Sequence, residues 1–359
     1  MRSGFVFPAD SKLKKLLTLI ISVFLVSCLI ACGNIKENEG RKFTDDLGRE
    51  VILPGVIENF IPTGPEAQIF LYTVCPDRFA AVSSDWSRKT PCIFDEEFLK
   101  LPVVGKVLDP SSCNIEEIAA IAPSVIIDIG ENRSAKTAEL DNLERLTGIP
   151  VIHFDVTLFT MGELYIKLGE LLGEEDRCGR LSDFCNRIYE ECSVVCDRVG
   201  DRKVSSLYIT GEEGLCVLAN GSYMSEIVDL FTDNLAVIDN PAGKGTGNEA
   251  TLEQILIWNP EVIFFSEDCD CEKLISQKVW DSLDAVKNQN FVTVPEKPWN
   301  YLGMPPSSQR LLGMIWLSHI LYPEYVTSDM EEEIEEFYDL FLGYDICREE
   351  LTEIDCLNR

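Results

Sequence analysis

The tightest constraint on the fold is a stretch that the chain carries twice: NIEEIAAIAPSVIIDIG at residues 114–130 and TLEQILIWNPEVIFFSE at residues 251–267. In each copy a polar residue, Asn114 or Thr251, precedes an aliphatic residue and an acid, Glu116 or Glu253. Apolar residues then recur at helical spacing up to Pro123 or Pro260. A capping side chain, acids in the first turn where the backbone dipoles favour negative charge, and a proline stop together define a short helix. Beyond each proline runs a compact apolar segment, Val125 to Ile129 or Val262 to Phe265, rich in β-branched or aromatic residues. Such a run fits a strand buried on both faces, and a helix feeding it is the αβ unit of a parallel sheet. Two such units predict an α/β protein of two related, Rossmann-like lobes with parallel-sheet cores.

The 359 residues suffice for two domains, but the first 31 differ in kind from the rest. Lys12, Lys14 and Lys15 precede an apolar run from Leu16 to Ile30, which leads into Ala31, Cys32 and Gly33. A basic start, an apolar core and a small-residue exit are the parts of a secretion signal. An uncleaved membrane anchor is the alternative, although the run is short for a span. The Leu-Ile-Ala-Cys sequence ending at Cys32 resembles the lipobox of bacterial lipoproteins, which implies that Cys32 becomes the lipidated first residue of the mature chain. Both readings put the folded body outside the cytoplasm, anchored to the cell membrane.

Without the four basic residues and Asp10 of that leader, 27 basic and 60 acidic side chains remain, a formal charge of −33. A surface of this sign is repelled by nucleic acid and by anionic lipid, so membrane association is expected to come from the lipid on Cys32. Fourteen cysteines are many for this length, yet only two histidines, His153 and His319, accompany them, and no CxxC pair occurs. Zinc sites need ligands clustered at short spacing, so no metal site is predicted, and the redox state of the thiols stays open.

In chain order, the signal peptide at 1–31 is followed by a polar tether at 32–42 and an N-terminal α/β lobe at 43–157. FTDDLGREVILPG reads as a hairpin turning at Gly48, IENFIPTG as a strand, PEAQIFLYTVCP as a helix started by Pro65, FAAVSSD at 79–85 and LPVVGKV at 101–107 as further strands, and GIPVIHFD as the last strand. Residues 158–199 keep a period near 3.6, interrupted near Gly173, and predict a long helix tying the lobes together. A C-terminal α/β lobe is expected at 200–325, with strands at VSSLYITGE, in GLCVLAN, in LAVIDNP and near 291–294, a helix capped by Ser222, and a closing helix ended by Pro323. Residues 326–359 form an acidic tail whose Ile334, Phe337, Leu340 and Phe341 predict an amphipathic helix packed on the second lobe.

Catalysis needs a nucleophile with a base, or a metal cluster, and no such set emerges, so no catalytic residue is assigned. The GKGTG run at 243–247 lacks the spacing of a phosphate loop. Ligand binding is better supported, because in open α/β sheets ligands sit beyond the carboxyl ends of the strands. The loops there carry Thr63, Ser84, Trp86, Lys106 and Asn132 in lobe one and Thr210, Tyr223, Lys244, Trp299, Tyr301 and Arg310 in lobe two. The aromatics suit a flat organic ligand, and Lys106, Lys244 and Arg310 suit negative charge on a chelated metal or an oxyanion.

Taken together, FTDDLGREVILPG, VSS at 82–84, PVVG at 102–105, both cassettes, the long helix and the lipobox resemble the substrate-binding proteins of ABC importers for iron siderophores, haem and cobalamin. The resemblance spans about residues 42–325 and implies two class III periplasmic-binding lobes joined by one stiff helix. It implies a monomeric, non-enzymatic protein without a cofactor that captures an Fe(III)-siderophore, haem or cobalamin and passes it to an ABC permease dimer. The carboxyl part resembles a branch with some molybdate or tungstate binders, so a metal oxyanion is the alternative ligand. A surface enzyme or sensor on the same scaffold is the more distant one. The family docks on its permease through an acid on each lobe, and the matching positions are Glu116 and Glu253.

Overall fold

The structure, a computed structural model, describes residues 40–87, 92–109, 111–239, 241 and 247–352. The signal peptide, Cys32, most of the tether, Lys244 and the end of the tail lie outside the described residues. Lobe one opens with the hairpin β1 (Arg41–Thr44) and β2 (Glu50–Leu53), paired antiparallel around Gly48, whose φ of 77° is the left-handed value such a turn needs. Its core is a parallel sheet of β3 (Phe60–Pro62), β4 (Val125–Gly130) and β5 (Val151–Asp155), in that order. Helix α1 (Pro65–Val74) follows β3 with proline in its first turn, α2 (Ile115–Ile121) leads into β4, and α3 (Lys136–Thr147) crosses from β4 to β5. The strands expected at 79–85 and 101–107 are reduced to isolated bridges, Phe60 with Phe79 and Val82 with Val103. Their apolar side chains pack, but the backbone keeps only one rung of each ladder.

Two helices connect the lobes: α4 (Met161–Leu172), ended by Gly173 in the left-handed conformation, and α5 (Glu175–Val199), 25 residues long. Lobe two repeats the core, with β6 (Ser205–Thr210), β10 (Val262–Phe265) and β11 (Phe291–Thr293) paired parallel. At its other edge lie the two-residue strands β7 (Cys216–Val217), antiparallel to β6, and β9 (Asn248–Glu249), antiparallel to β7, so this sheet is mixed. A short β8 sits at Asp233–Asn234, just before the LAVIDNP segment expected to hold it. Helices α6 (Glu226–Phe231), α7 (Leu252–Trp258) and α8 (Arg310–Leu321) complete the lobe. Ser222 makes no capping bond through its side chain; its hydroxyl donates to that of Ser225 at 3.2 Å.

The repeated cassettes are structural equivalents. Asn114 accepts a hydrogen bond from the Glu116 amide and Thr251 one from the Gln254 amide. Each helix ends on a non-glycine residue in the left-handed region, Ala122 at φ 50° and Asn259 at φ 43°. Each strand that follows is the middle one of a parallel three-stranded core. Because both faces of these strands are covered, consecutive residues sort into different cores: Ile263 and Phe265 face outward in lobe two, whereas Val262 and Phe264 face inward. In lobe one Ile126 faces the outer core and Val125, Ile127 and Ile129 the inner one.

The inner core is continuous through both lobes and along α4 and α5. Helix α5 touches both: Arg177 donates to the Thr73 carbonyl at 2.7 Å, and Cys192 lies 3.6 Å from the Met314 carbonyl. The tail helix α9 (Met330–Phe337) and the turn after it do not rest on lobe two alone. Phe341 meets Tyr165 and Phe184 edge-on at 5.9 and 5.3 Å, so the tail also covers the connecting helices. Among the described residues no helix is long and apolar enough to cross a membrane.

Candidate functional site

An open cleft of about 610 Å³ lies where the carboxyl ends of β4 and β5 face the start of α6 across the lobe boundary. Lobe one contributes Glu131, Asn132 and Asp155, the connecting segment Phe159, and lobe two Lys203, Ser222, Tyr223, Glu226 and Asp229. Strand order dictates this placement, since loops leaving parallel strands gather at one edge of the sheet. Of the residues expected to meet ligand, Asn132 and Tyr223 line this cleft. Asn132 is exposed, and its amide donates to the Asp155 carboxylate at 3.1 Å.

Four carboxylates converge here, but they are not equivalent. Asp229 accepts from the Gly221 amide, the Ser225 hydroxyl and the Asn234 side chain at 2.7–2.8 Å, which commits it to holding the loop. Glu226 is paired with Arg310 at 2.5 Å and accepts from the Leu158 amide at 3.2 Å. Lys203 donates to the Asp229 carbonyl at 2.9 Å. Glu131 and Asp155 therefore supply the charge that faces an incoming solute, and its sign is negative.

The lobes touch directly beside this cleft. The Tyr223 hydroxyl donates to Glu66, in the first turn of α1. Arg310 stacks over the Tyr223 ring at 4.7 Å and donates to the Tyr223 carbonyl. Glu66 keeps some surface but is enclosed by protein on most sides, and this burial pushes its pKa up to about 8 against the opposing pull of the Tyr223 bond and the Arg310 charge. Burial and the nearby Glu66 also raise the Tyr223 phenol. The two groups share a hydrogen bond that a neutral carboxyl can keep without a desolvated charge. Gly130 makes room for it: a Cβ there would lie 2.8 Å from the Glu66 carboxyl, and its φ of 151° disfavours any other residue.

A second polar cluster lies beneath. Asp128 accepts from His153 at 2.6 Å, from Lys136 at 2.9 Å and from the Thr63 hydroxyl. Burial alone would raise the Asp128 pKa, but the His153 bond and the charges of Lys136 and His153 outweigh it and bring the carboxyl down to about 2. Thr63, expected at the cleft, is thus 5 % exposed and turned into this cluster.

The remaining expected residues are dispersed. Trp86 and Trp299 are buried and meet edge-on at 5.0 Å, with Phe94 against both, so they form an aromatic contact between the lobes rather than an open platform. Ser84 accepts from the Trp86 indole at 3.1 Å. Tyr301 and Thr210 are buried in lobe two, and Lys106 is exposed on a loop of lobe one. Arg310 is 2 % exposed and its charge is answered by Glu226, which corrects its reading as a free cation. Lys244 lies outside the described residues. Glu116 and Glu253 are exposed in the first turns of α2 and α7.

Sequence reasoning missed Glu66, Asp155, Glu226 and Asp229. Glu66 and Asp155 stand at strand exits, which is the signal that could have found them; the acids of α6 resemble ordinary first-turn residues. Among the described residues no group of three or more His, Cys, Asp or Glu is placed to hold a metal ion.

The sequence profile of the family described as periplasmic binding protein matches residues 94–298, over half of the chain. The chain belongs to the periplasmic binding protein family. A search of curated proteins finds no match. Among solved structures, an ABC transporter solute binding protein from Sulfurospirillum deleyianum is 24 % identical, with a TM-score of 0.79 over 88 % of this chain and 99 % of that one. A periplasmic solute binding protein from Veillonella parvula gives 19 % and 0.71 over 88 % and 96 %. The molybdate periplasmic binding protein of Haemophilus influenzae, bound to molybdate, gives 20 % and 0.66 over 86 % and 99 %. This periplasmic binding protein has the class III fold: two α/β lobes, one with a parallel and one with a mixed sheet, joined by long helices. Its family membership makes it an extracytoplasmic binding protein.

Proposed function

We propose that this protein is anchored to the cell membrane by lipidated Cys32 and carries a metal-containing organic complex of zero or positive charge, an iron chelate of the siderophore class or a corrinoid. The supporting observation is the sign of the cleft: Glu131 and Asp155 face the opening, Arg310 is already paired with Glu226, and the acids lining the cleft outnumber Lys203, whose ammonium group donates to a carbonyl. Carboxylates in a concave, partly desolvated wall repel an anion more strongly than they would on an open surface. The cleft volume and its mixture of amide, hydroxyl and aromatic groups suit a ligand held by several hydrogen bonds. Glu116 and Glu253 then present the loaded protein to the permease, one acid from each lobe.

The competing reading is a molybdate or tungstate carrier, favoured by the likeness to the Haemophilus protein. It requires Arg310 to leave Glu226. Haem, with two propionates, meets the same electrostatic objection. Native mass spectrometry and tryptophan fluorescence of the chain from residue 33 onward test the assignment against a cationic ferric hydroxamate, cyanocobalamin, haem, molybdate and tungstate. Saturable one-to-one binding of the first or second is expected. One-to-one binding of molybdate or tungstate, with neither complex bound, overturns it.

A further inference from the structure

The two cassettes superpose residue for residue in sequence, and they differ at one outward position that matters. Counting from the first-turn acids, Glu116 is followed four residues later by Ala120, and Glu253 by Ile257. Residues four apart share a helix face. Ile118 and Ile255 are the fully buried residues of the two helices, so Ala120 and Ile257 point away from the core; both are exposed. Ile257 is 80 % exposed, more than any other large hydrophobic among the described residues. None of the described residues covers this isoleucine on an otherwise acidic, polar helix face.

We propose that Ile257 is an apolar anchor of the permease-docking surface: it seats in an apolar hollow with a basic rim on the extracytoplasmic face of the ABC permease, while lobe one docks through charge alone. Charge complementarity selects this occupant. Glu253 lies one turn away, Glu249 and Gln254 are also exposed, and the described surface belongs to a chain with a formal charge of −30. A second copy of such a chain would bring like charges together around the isoleucine, whereas a basic rim neutralises them. Solute-binding function makes the permease the obligatory partner. Docking is then two-legged and unequal, salt-sensitive at Glu116 and salt-insensitive at Ile257, because screening weakens exposed ion pairs and leaves apolar burial in place. The inference rests on the assignment of Glu116 and Glu253 as docking acids.

Binding of the full lipidated protein to its permease in lipid nanodiscs is the test, measured at 0.05 and 0.5 M salt for wild type, Ile257→Ser, Ile257→Gln and the double variant Glu116→Lys with Glu253→Lys. Both Ile257 variants are expected to bind about tenfold more weakly at either salt concentration, about 1.4 kcal/mol. Their thermal midpoint is expected to match wild type, since the side chain makes no core contact. The double acid variant should lose affinity chiefly at low salt. Wild-type affinity in both Ile257 variants, alongside loss in the acid variant, overturns the anchor and leaves the charge docking standing. Loss in the Ile257 variants with an unaffected acid variant removes the docking acids and overturns the two-legged docking with them. A dimer in sedimentation that Ile257→Ser dissociates assigns the residue to a second copy and overturns the permease contact.

Discussion

Tyr223 of lobe two gives its hydroxyl hydrogen to Glu66 of lobe one, so the two halves of the protein meet at a proton. The carboxyl it meets has a pKa near 8, raised by burial from 4.5. A folded-state pKa above the unfolded value means that the native state holds the proton more tightly. The associated stability is full below about pH 4.5 and is lost as pH rises through 8. Thermal unfolding followed from pH 5 to 9 is expected to show this decline, on the order of a few kcal/mol at most because Glu66 keeps some solvent contact. In Glu66→Gln the component should vanish.

The Arg310 and Glu226 pair carries a different expectation. Arg310 is 2 % exposed, and its truncation to Met leaves Glu226 facing Tyr223 and the Leu158 amide without its cation. Breaking such a buried pair costs about 3–5 kcal/mol. Urea unfolding of Arg310→Met, Glu226→Gln and the double variant should give a double-variant loss well below the sum of the two single ones.

Asp128 sets the acid limit. Its folded pKa of about 2 lies below the ordinary 3.8, so its contribution is complete above pH 3.8 and disappears as pH falls towards 2. Asp128→Asn strands Lys136 and should lower stability near pH 7 by roughly 3 kcal/mol or more. It should also flatten the acid limb of a denaturation curve between pH 4 and 2.

Charge at the cleft mouth should govern ligand choice. Glu131→Gln with Asp155→Asn is expected to weaken a cationic ferric hydroxamate by about tenfold at low ionic strength, with a smaller effect on neutral cyanocobalamin. Titration calorimetry at two salt concentrations checks both. Equal losses for the two ligands would show that these side chains act through shape or hydrogen bonding instead of charge.

Much of the fold is legible in the sequence because periodicity reports burial. The cassettes, the hairpin at Gly48, the break at Gly173 and the 25-residue connector all follow from local patterns, and all occur. The segments at 79–85 and 101–107 have strand-like composition but keep only isolated bridges to their partners, and pairing is a property of two segments. The cleft is less legible for the same reason. Arg310 looks like a free cation until Glu226, 84 residues earlier, is brought beside it. Trp86 and Trp299 look like ligand platforms until each is found against the other. Sequence identifies side chains able to bind something, and only folding decides whether that something is already present in the chain.

Gly130 sharpens this point. A β-carbon at residue 130 would approach the Glu66 carboxyl to 2.8 Å, closer than carbon and oxygen pack. Glycine at the exit of β4 therefore leaves the Glu66 side chain room in the orientation that meets Tyr223, and a methyl group there would turn that flexible carboxyl aside without altering any residue that lines the cleft.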